Sequence, residues 1–131
     1  MFAARIFLAI VGAAYLFLGI WCAAAPDKTA KSVGFTLQPG SGQSEYFTVY
    51  GGLEVAWGLI FLMPLIMTDA TRPILIACVL IHGMAVLFRA VSFFLFTGMG
   101  TTTYVLAGVE WVIFLGATAI LAFVSLSGSR S

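Results

Sequence analysis

Three ionisable side chains stand deep inside apolar sequence: Glu54, Arg89 and Glu110. Charged groups are costly within long apolar stretches, so each needs a partner or a task. Arginine suits this company. Its guanidinium stays charged, and its planar fork can meet two carboxylates at once. Two carboxylates against one guanidinium leave one negative charge in surplus. We therefore expect Glu54 and Glu110 to share Arg89 and to titrate as a coupled unit.

Other groups could support that cluster. His82 precedes Arg89 by two helical turns and so shares its face. Tyr15, Tyr50, Glu54 and His82 are a set able to move protons, although a lone histidine of this kind is expected mainly to bond a neighbouring helix. Cys78 and His82 are spaced to share one helical face, but two ligands do not make a metal site, and none is expected. The chain has a single histidine, which excludes cofactors needing a pair of axial histidines. Its lysines, Lys28 and Lys31, both fall in a connection, which excludes a retinal-type Schiff base. No nucleophile–base pair and no phosphate loop stands out. Cys22 and Cys78 read as small apolar residues placed too far apart to pair.

The elements that hold these groups follow from composition. Of 131 residues, 62% are hydrophobic and 8% charged, with a net charge of +1. A soluble domain carries about a quarter charged residues, and one this small could not hide so much apolar surface. The balance excludes a nucleic-acid binder, which needs a basic footprint. It also excludes a disordered chain and a disulfide-stapled secreted domain. Four apolar runs, about 2–25, 45–67, 71–96 and 103–126, each reach the roughly 20 residues that cross a bilayer core. None alternates as a barrel strand would, and in lipid each backbone must satisfy its own hydrogen bonds, so all four are helices. The expected fold is an all-α integral membrane protein: a single domain, a four-transmembrane-helix antiparallel bundle. Arg5 with Ala23-Ala24-Ala25 mimics a signal peptide, but the apolar run is too long for one, and we read it as a true span.

Punctuation sets the connections. Pro26 ends the first helix. Met67 to Pro73 is a tight polar turn, Thr97 to Thr102 an uncharged one, and Ser127 to Ser131 a polar tail. The long first loop, Pro26 to Ser44, is expected to hold a short interfacial helix capped by Asp27, then a break at Gln38-Pro39-Gly40-Ser41-Gly42. It is either a plain linker or a lid, with Phe35 and Leu37 dipping inward over the bundle mouth. We call the end carrying this loop the outer end. Helical rise then puts Glu54 about 13 Å below it and Arg89 and Glu110 each about 10 Å below, so the three charges are expected on one level. Tyr15 falls at about 15 Å and His82 at about 21 Å. Arg5, Arg72 and Arg130 against Lys28 and Lys31 favour cytoplasmic termini. Trp21, Tyr46 and Tyr104 would form an aromatic belt at the outer face. Gly12, Gly19, Gly51, Gly52, Gly58, Gly83, Gly108 and Gly116 are expected where helix backbones touch.

The run Glu45-Tyr46-Phe47-Thr48-Val49-Tyr50-Gly51-Gly52-Leu53, with Pro26, Val33-Gly34-Phe35, Phe88-Arg89 and Glu110, resembles the small bacterial four-helix membrane proteins of domain of unknown function family 4345, within the broader DoxX-like group. The likeness covers nearly the whole chain. One departure is that members often carry a basic residue where this chain has Phe47-Thr48. The resemblance implies a multi-pass bundle in a bacterial inner membrane and adds Glu45 to the residues of interest. It names no activity, and accessory subunits of membrane redox enzymes among DoxX-like proteins are a fold-level analogy.

Together these readings favour a non-enzymatic accessory or binding protein over an enzyme. A Glu54–Arg89–Glu110 cluster, supported by Tyr15, Tyr50, His82 and Glu45, would lie beneath a mouth that takes a lipid, a quinone or a partner helix. The partner would be the bilayer itself, a larger membrane protein or another copy of the chain. The same triad serves equally as a lock on helix register. The competing functions are a small subunit of a membrane redox enzyme and a proton-conducting element. The second needs polar groups through the full thickness, and the inner half offers little beyond His82, Cys78 and Thr118.

Overall fold

The computed structural model describes residues 1–128, and apart from turns and connections these are helical, with no strand among them. Four helical stretches are long and apolar enough to cross a membrane: Phe2–Ala24, Ser41–Leu65, Thr68–Leu95 and Thr101–Leu126. The first is α1 (Phe2–Ala24), followed at once by α2 (Pro26–Ser32). The second is composite. It runs through α3 (Ser41–Tyr46), a π-helical segment Phe47–Leu53, α4 (Glu54–Leu62) and a 3-10 turn Met63–Leu65. A further 3-10 turn, Thr68–Ala70, leads into α5 (Thr71–Leu95), and α6 (Thr101–Gly128) closes the chain.

Two boundaries differ from the sequence expectation for physical reasons. Asp27 does not cap α2. Ala25 holds the cap position, Pro26 opens the helix where its missing N–H costs nothing, and Thr29 Oγ1 donates 2.9 Å to the Ala25 carbonyl. The second long helix begins at Ser41 rather than Glu45. Gly40, at φ 77°, makes the turn, and its N–H donates 3.3 Å to Gln43 Oε1, so the Gly-Ser-Gly stretch starts a helix instead of only breaking the loop.

α1 and the second helix run in opposite directions at backbone contact. Gly12 meets Gly58 and Leu62, Gly19 meets Gly51 and Val55, and Gly51 meets Ala23. A Cβ built on Gly58 would lie 2.8 Å from the Leu16 backbone N and 2.9 Å from the Gly12 carbonyl O. Only glycine allows that approach. Gly52 and Gly108 face open space, so the expectation of close contact fails at those two. α5 and α6 also oppose each other: Gly83 touches Phe114, Arg89 meets Glu110, and Phe93 stacks on Tyr104 at 5.4 Å.

The two pairs share a core at one end only. Ala4, Leu8 and Val11 of α1 pack with Phe61 of α4, Ile74, Leu75 and Cys78 of α5, and Ala117 of α6. Arg5 and Arg72 flank this inner core, while Arg130 lies outside the described residues. At the outer end a second cluster forms from Cys22, Ala30 and Tyr46, with Leu18, Leu37 and Tyr50 against it. No residue of α5 or α6 belongs to it. The pairs are thus knitted together at the inner end and are separate in packing at the outer end. Tyr46 is correspondingly no part of an aromatic belt. It is 4% exposed and sits inside the outer cluster, whereas Trp21 and Tyr104 are exposed as expected.

Candidate functional site

Arg89 and Glu110 meet as a side-on, bidentate pair between α5 and α6. Arg89 Nε donates to Glu110 Oε2 at 3.0 Å, and Nη2 donates to Oε1 at 2.6 Å. Both N–H···O bonds are charge-assisted, and two-point pairing of this kind is the strong form of an arginine–carboxylate contact. The side chains remain 28% and 20% exposed, so neither is sealed in. Ser92 Oγ donates 2.7 Å to the Arg89 carbonyl one turn outward.

Glu54 is not a third member of this pair. Among the described residues it makes no ion pair, and its Oε2 is buried without a hydrogen-bond partner. Leu8 and Leu75 share the inner core and Tyr15 bonds His82, so α1 and α5 run the same way, and Arg89 stands level with Cys22. Gly51 packs on Ala23 and Val55 on Gly19, which puts Glu54 about two residues, roughly 3 Å, inward of Arg89. The three charges thus lie within one turn of each other in depth, and only Arg89 and Glu110 are joined.

Tyr50 stands four residues outward of Glu54 on the same helix, and Tyr15 on α1 lies near the level of Gly58, about one turn inward of it.

Below this layer the polar chain ends in a closed unit. The Tyr15 hydroxyl and His82 Nε2 are 3.1 Å apart, and His82 Nδ1 is 2.9 Å from the Cys78 carbonyl. A carbonyl only accepts, so Nδ1 carries the hydrogen and Nε2 takes the Tyr15 O–H. His82 is 1% exposed and rests edge-on against Tyr15, with Phe61 tilted beside it. This histidine bonds a neighbouring helix, as the sequence suggests. Cys78 Sγ is 3.6 Å from Nδ1, but that nitrogen is turned to the backbone, and no group of three or more metal-ligating side chains occurs among the described residues. Both cysteines are free and buried.

Above the layer lies a cleft of about 210 Å³, lined by Phe35, Leu37, Gly42, Glu45, Tyr46, Val49 and Tyr50. Tyr46 and Tyr50 stack nearly parallel at 4.6 Å, and Phe35 sits edge-on to both. The Tyr46 hydroxyl donates to Cys22 Sγ at 3.6 Å. Phe35 and Leu37 do reach over the second helix from the loop, and Glu45 stands exposed on the rim. Tyr46 is the site residue that sequence reasoning missed. Its four-residue spacing to Tyr50 was the available signal, since such pairs share a helix face. The π-helical segment Phe47–Leu53 carries Tyr50 of this stack and ends at Glu54, and such segments often accompany functional sites.

Tyr50 lines the cleft and stands one turn outward of Glu54. The arrangement can accept a hydrogen bond at Glu54, donate from the N–H groups of Arg89 that Glu110 leaves unused, and stack an apolar or planar group at the outer end. No family model, no curated protein and no solved structure matches this chain.

Proposed function

We propose that the chain is a multi-pass protein of a bacterial inner membrane, an antiparallel four-helix bundle with both termini in the cytoplasm. Its role is non-enzymatic: it binds a hydrophobic molecule, a lipid or a quinone, between its two helix pairs. The observation that carries this reading is the buried, partnerless Glu54 Oε2 beside an Arg89–Glu110 pair, at the level where the pairs no longer share a core. A buried polar atom without a partner costs about 1–3 kcal/mol. A guest that supplies the missing bond recovers that cost. An aromatic cleft lined by Phe35, Leu37, Tyr46 and Tyr50 lies at the outer end, where an apolar guest could rest, and Tyr50 stands one turn outward of Glu54. The resemblance to the DoxX-like group supports the bilayer setting.

A proton-conducting role is less well supported. The polar chain stops at Cys78, and below it Ala4, Leu8, Leu75 and Ala117 form an apolar plug. The test is native mass spectrometry of the protein released from nanodiscs made with its host's lipids. The expected result is a retained small hydrophobic molecule that is lost in Tyr50→Ala. A co-purifying oxidoreductase would favour the redox-subunit reading instead. Bare protein under conditions that preserve the fold would overturn the binding role.

A further inference from the structure

The cleft at the outer end has the chemistry of a cation site. We propose that it binds a quaternary ammonium ion, a trimethylammonium group, against its aromatic rings and beside the Glu45 carboxylate. This does not rest on the guest proposed between the helix pairs, because no residue of α5 or α6 lines the cleft.

Three observations lead there. First, aromatic rings are concentrated in one place. Phe35, Tyr46 and Tyr50 all line a space of about 210 Å³. Tyr46 and Tyr50 stack at 4.6 Å, and Phe35 lies 6.2 and 5.7 Å from them, so the three form one group of π-systems. A cation within about 6 Å of such a ring is drawn to its negative face, and clustered rings are how proteins hold quaternary ammonium ligands. Second, the charge has the matching sign. Glu45 lines the same cleft and is exposed. Among the described residues its carboxylate makes no ion pair and no side-chain hydrogen bond. Neither Lys28 nor Lys31 of α2 lines the cleft, so no basic side chain offsets the acid there. Third, the lining is poor in hydrogen-bonding groups. Apart from Glu45 its polar side-chain atoms are two tyrosine hydroxyls, and that of Tyr46 is already turned to Cys22 Sγ at 3.6 Å. A primary ammonium brings three N–H donors to satisfy and is strongly hydrated, whereas a quaternary one has no N–H at all. An uncharged apolar group would use the rings and leave Glu45 unanswered. The volume sets the size: it falls below the roughly 300–1,000 Å³ of sites for drug-sized ligands, so the cleft takes one small group.

Two carriers bear such a group, free choline-like solutes and the headgroup of phosphatidylcholine, and the experiment separates them. Purified full-length protein is placed in nanodiscs of phosphatidylethanolamine and phosphatidylglycerol, which hold no quaternary ammonium. It is titrated with choline and with choline's uncharged isostere, in which a tert-butyl group replaces the trimethylammonium. Binding is read by saturation-transfer NMR, with empty discs as the blank. Choline is expected to bind roughly fivefold more tightly than the isostere, the scale of a cation–π contact joined to an exposed ion pair. Glu45→Gln should weaken choline roughly twofold to threefold and leave the isostere unchanged. Phe35→Leu keeps apolar bulk at a position that is 44% exposed, so the fold should survive, and it should weaken choline roughly threefold. The titration is then repeated in phosphatidylcholine discs. Loss of choline binding there identifies the lipid headgroup as the occupant, and undiminished binding identifies a free solute; either supports the site. Equal binding of choline and its isostere would overturn the proposal. So would choline affinity unchanged in both variants, or no choline binding in discs free of phosphatidylcholine. None of these results touches the hydrophobic adduct expected between the helix pairs, whose retention is read separately by native mass spectrometry.

Discussion

Removing Arg89 should cost far more than removing Glu54, and only one second substitution should repair the damage. Arg89→Leu deletes two charge-assisted hydrogen bonds and strands the Glu110 carboxylate between helices. Breaking one side of a buried pair costs about 3–5 kcal/mol. The two side chains here keep 28% and 20% of their exposure, which places the loss at the lower end, about 3 kcal/mol. Adding Glu110→Gln removes the stranded charge and should return about 2 kcal/mol of that. Adding Glu54→Gln to Arg89→Leu should return under about 0.5 kcal/mol, because groups that share no partner act additively. The measurement is unfolding by added SDS from a mild detergent, followed by helical circular dichroism, on the parent, the single variants and the two doubles. Equal rescue by Glu54→Gln and Glu110→Gln would refute the pairwise reading and restore a shared triad.

Further outcomes follow from the same contacts. Gly58→Ala should destabilise the protein by about 1–3 kcal/mol, since its Cβ meets the backbone of α1, whereas Gly108→Ala should be neutral or slightly stabilising; comparative unfolding checks both. Tyr15→Phe leaves His82 Nε2 without its hydrogen-bond donor and should cost about 1–3 kcal/mol, while Tyr15→Phe with His82→Phe should cost less than the sum, as a double-mutant cycle would reveal. Cys22 and Cys78, both buried, should react with a maleimide only upon unfolding, and labelling of either in the folded protein would contradict the packing.

The number and type of helices were legible because apolar length alone decides them. The Arg89–Glu110 pairing was also legible: both residues lie on regular helices joined by a short turn, so counting residues gives depth correctly. That Glu54 stays outside the pair was not legible, because depth alone does not fix which way a side chain faces across an irregular start and a π-helical segment. Hydropathy carries no sign of wider turns, and the Tyr50-Gly51-Gly52 stretch reads the same in either helical form. Tyr46 was assigned to a lipid-facing belt because tyrosine near a helix end usually serves there. The loop residues Phe35 and Leu37 fold back and cover it, a long-range event that no local pattern encodes. The tie between His82 and another helix was expected, but its partner, Tyr15, depended on how α1 and α5 align.

The order of synthesis gives the Arg89–Glu110 pair an awkward birth. Its members are 21 residues apart in the chain. In a bilayer-inserted protein made at about 5–20 residues per second, the guanidinium leaves the ribosome roughly one to four seconds before its mate does. During that wait it bears an insertion cost of about 2.5–3.5 kcal/mol, unless a counter-charge is already present. Glu54 has by then been delivered on the preceding hairpin, which its glycines let close early. The acid that stands alone in the finished protein is thus the natural temporary host for the arginine during biogenesis.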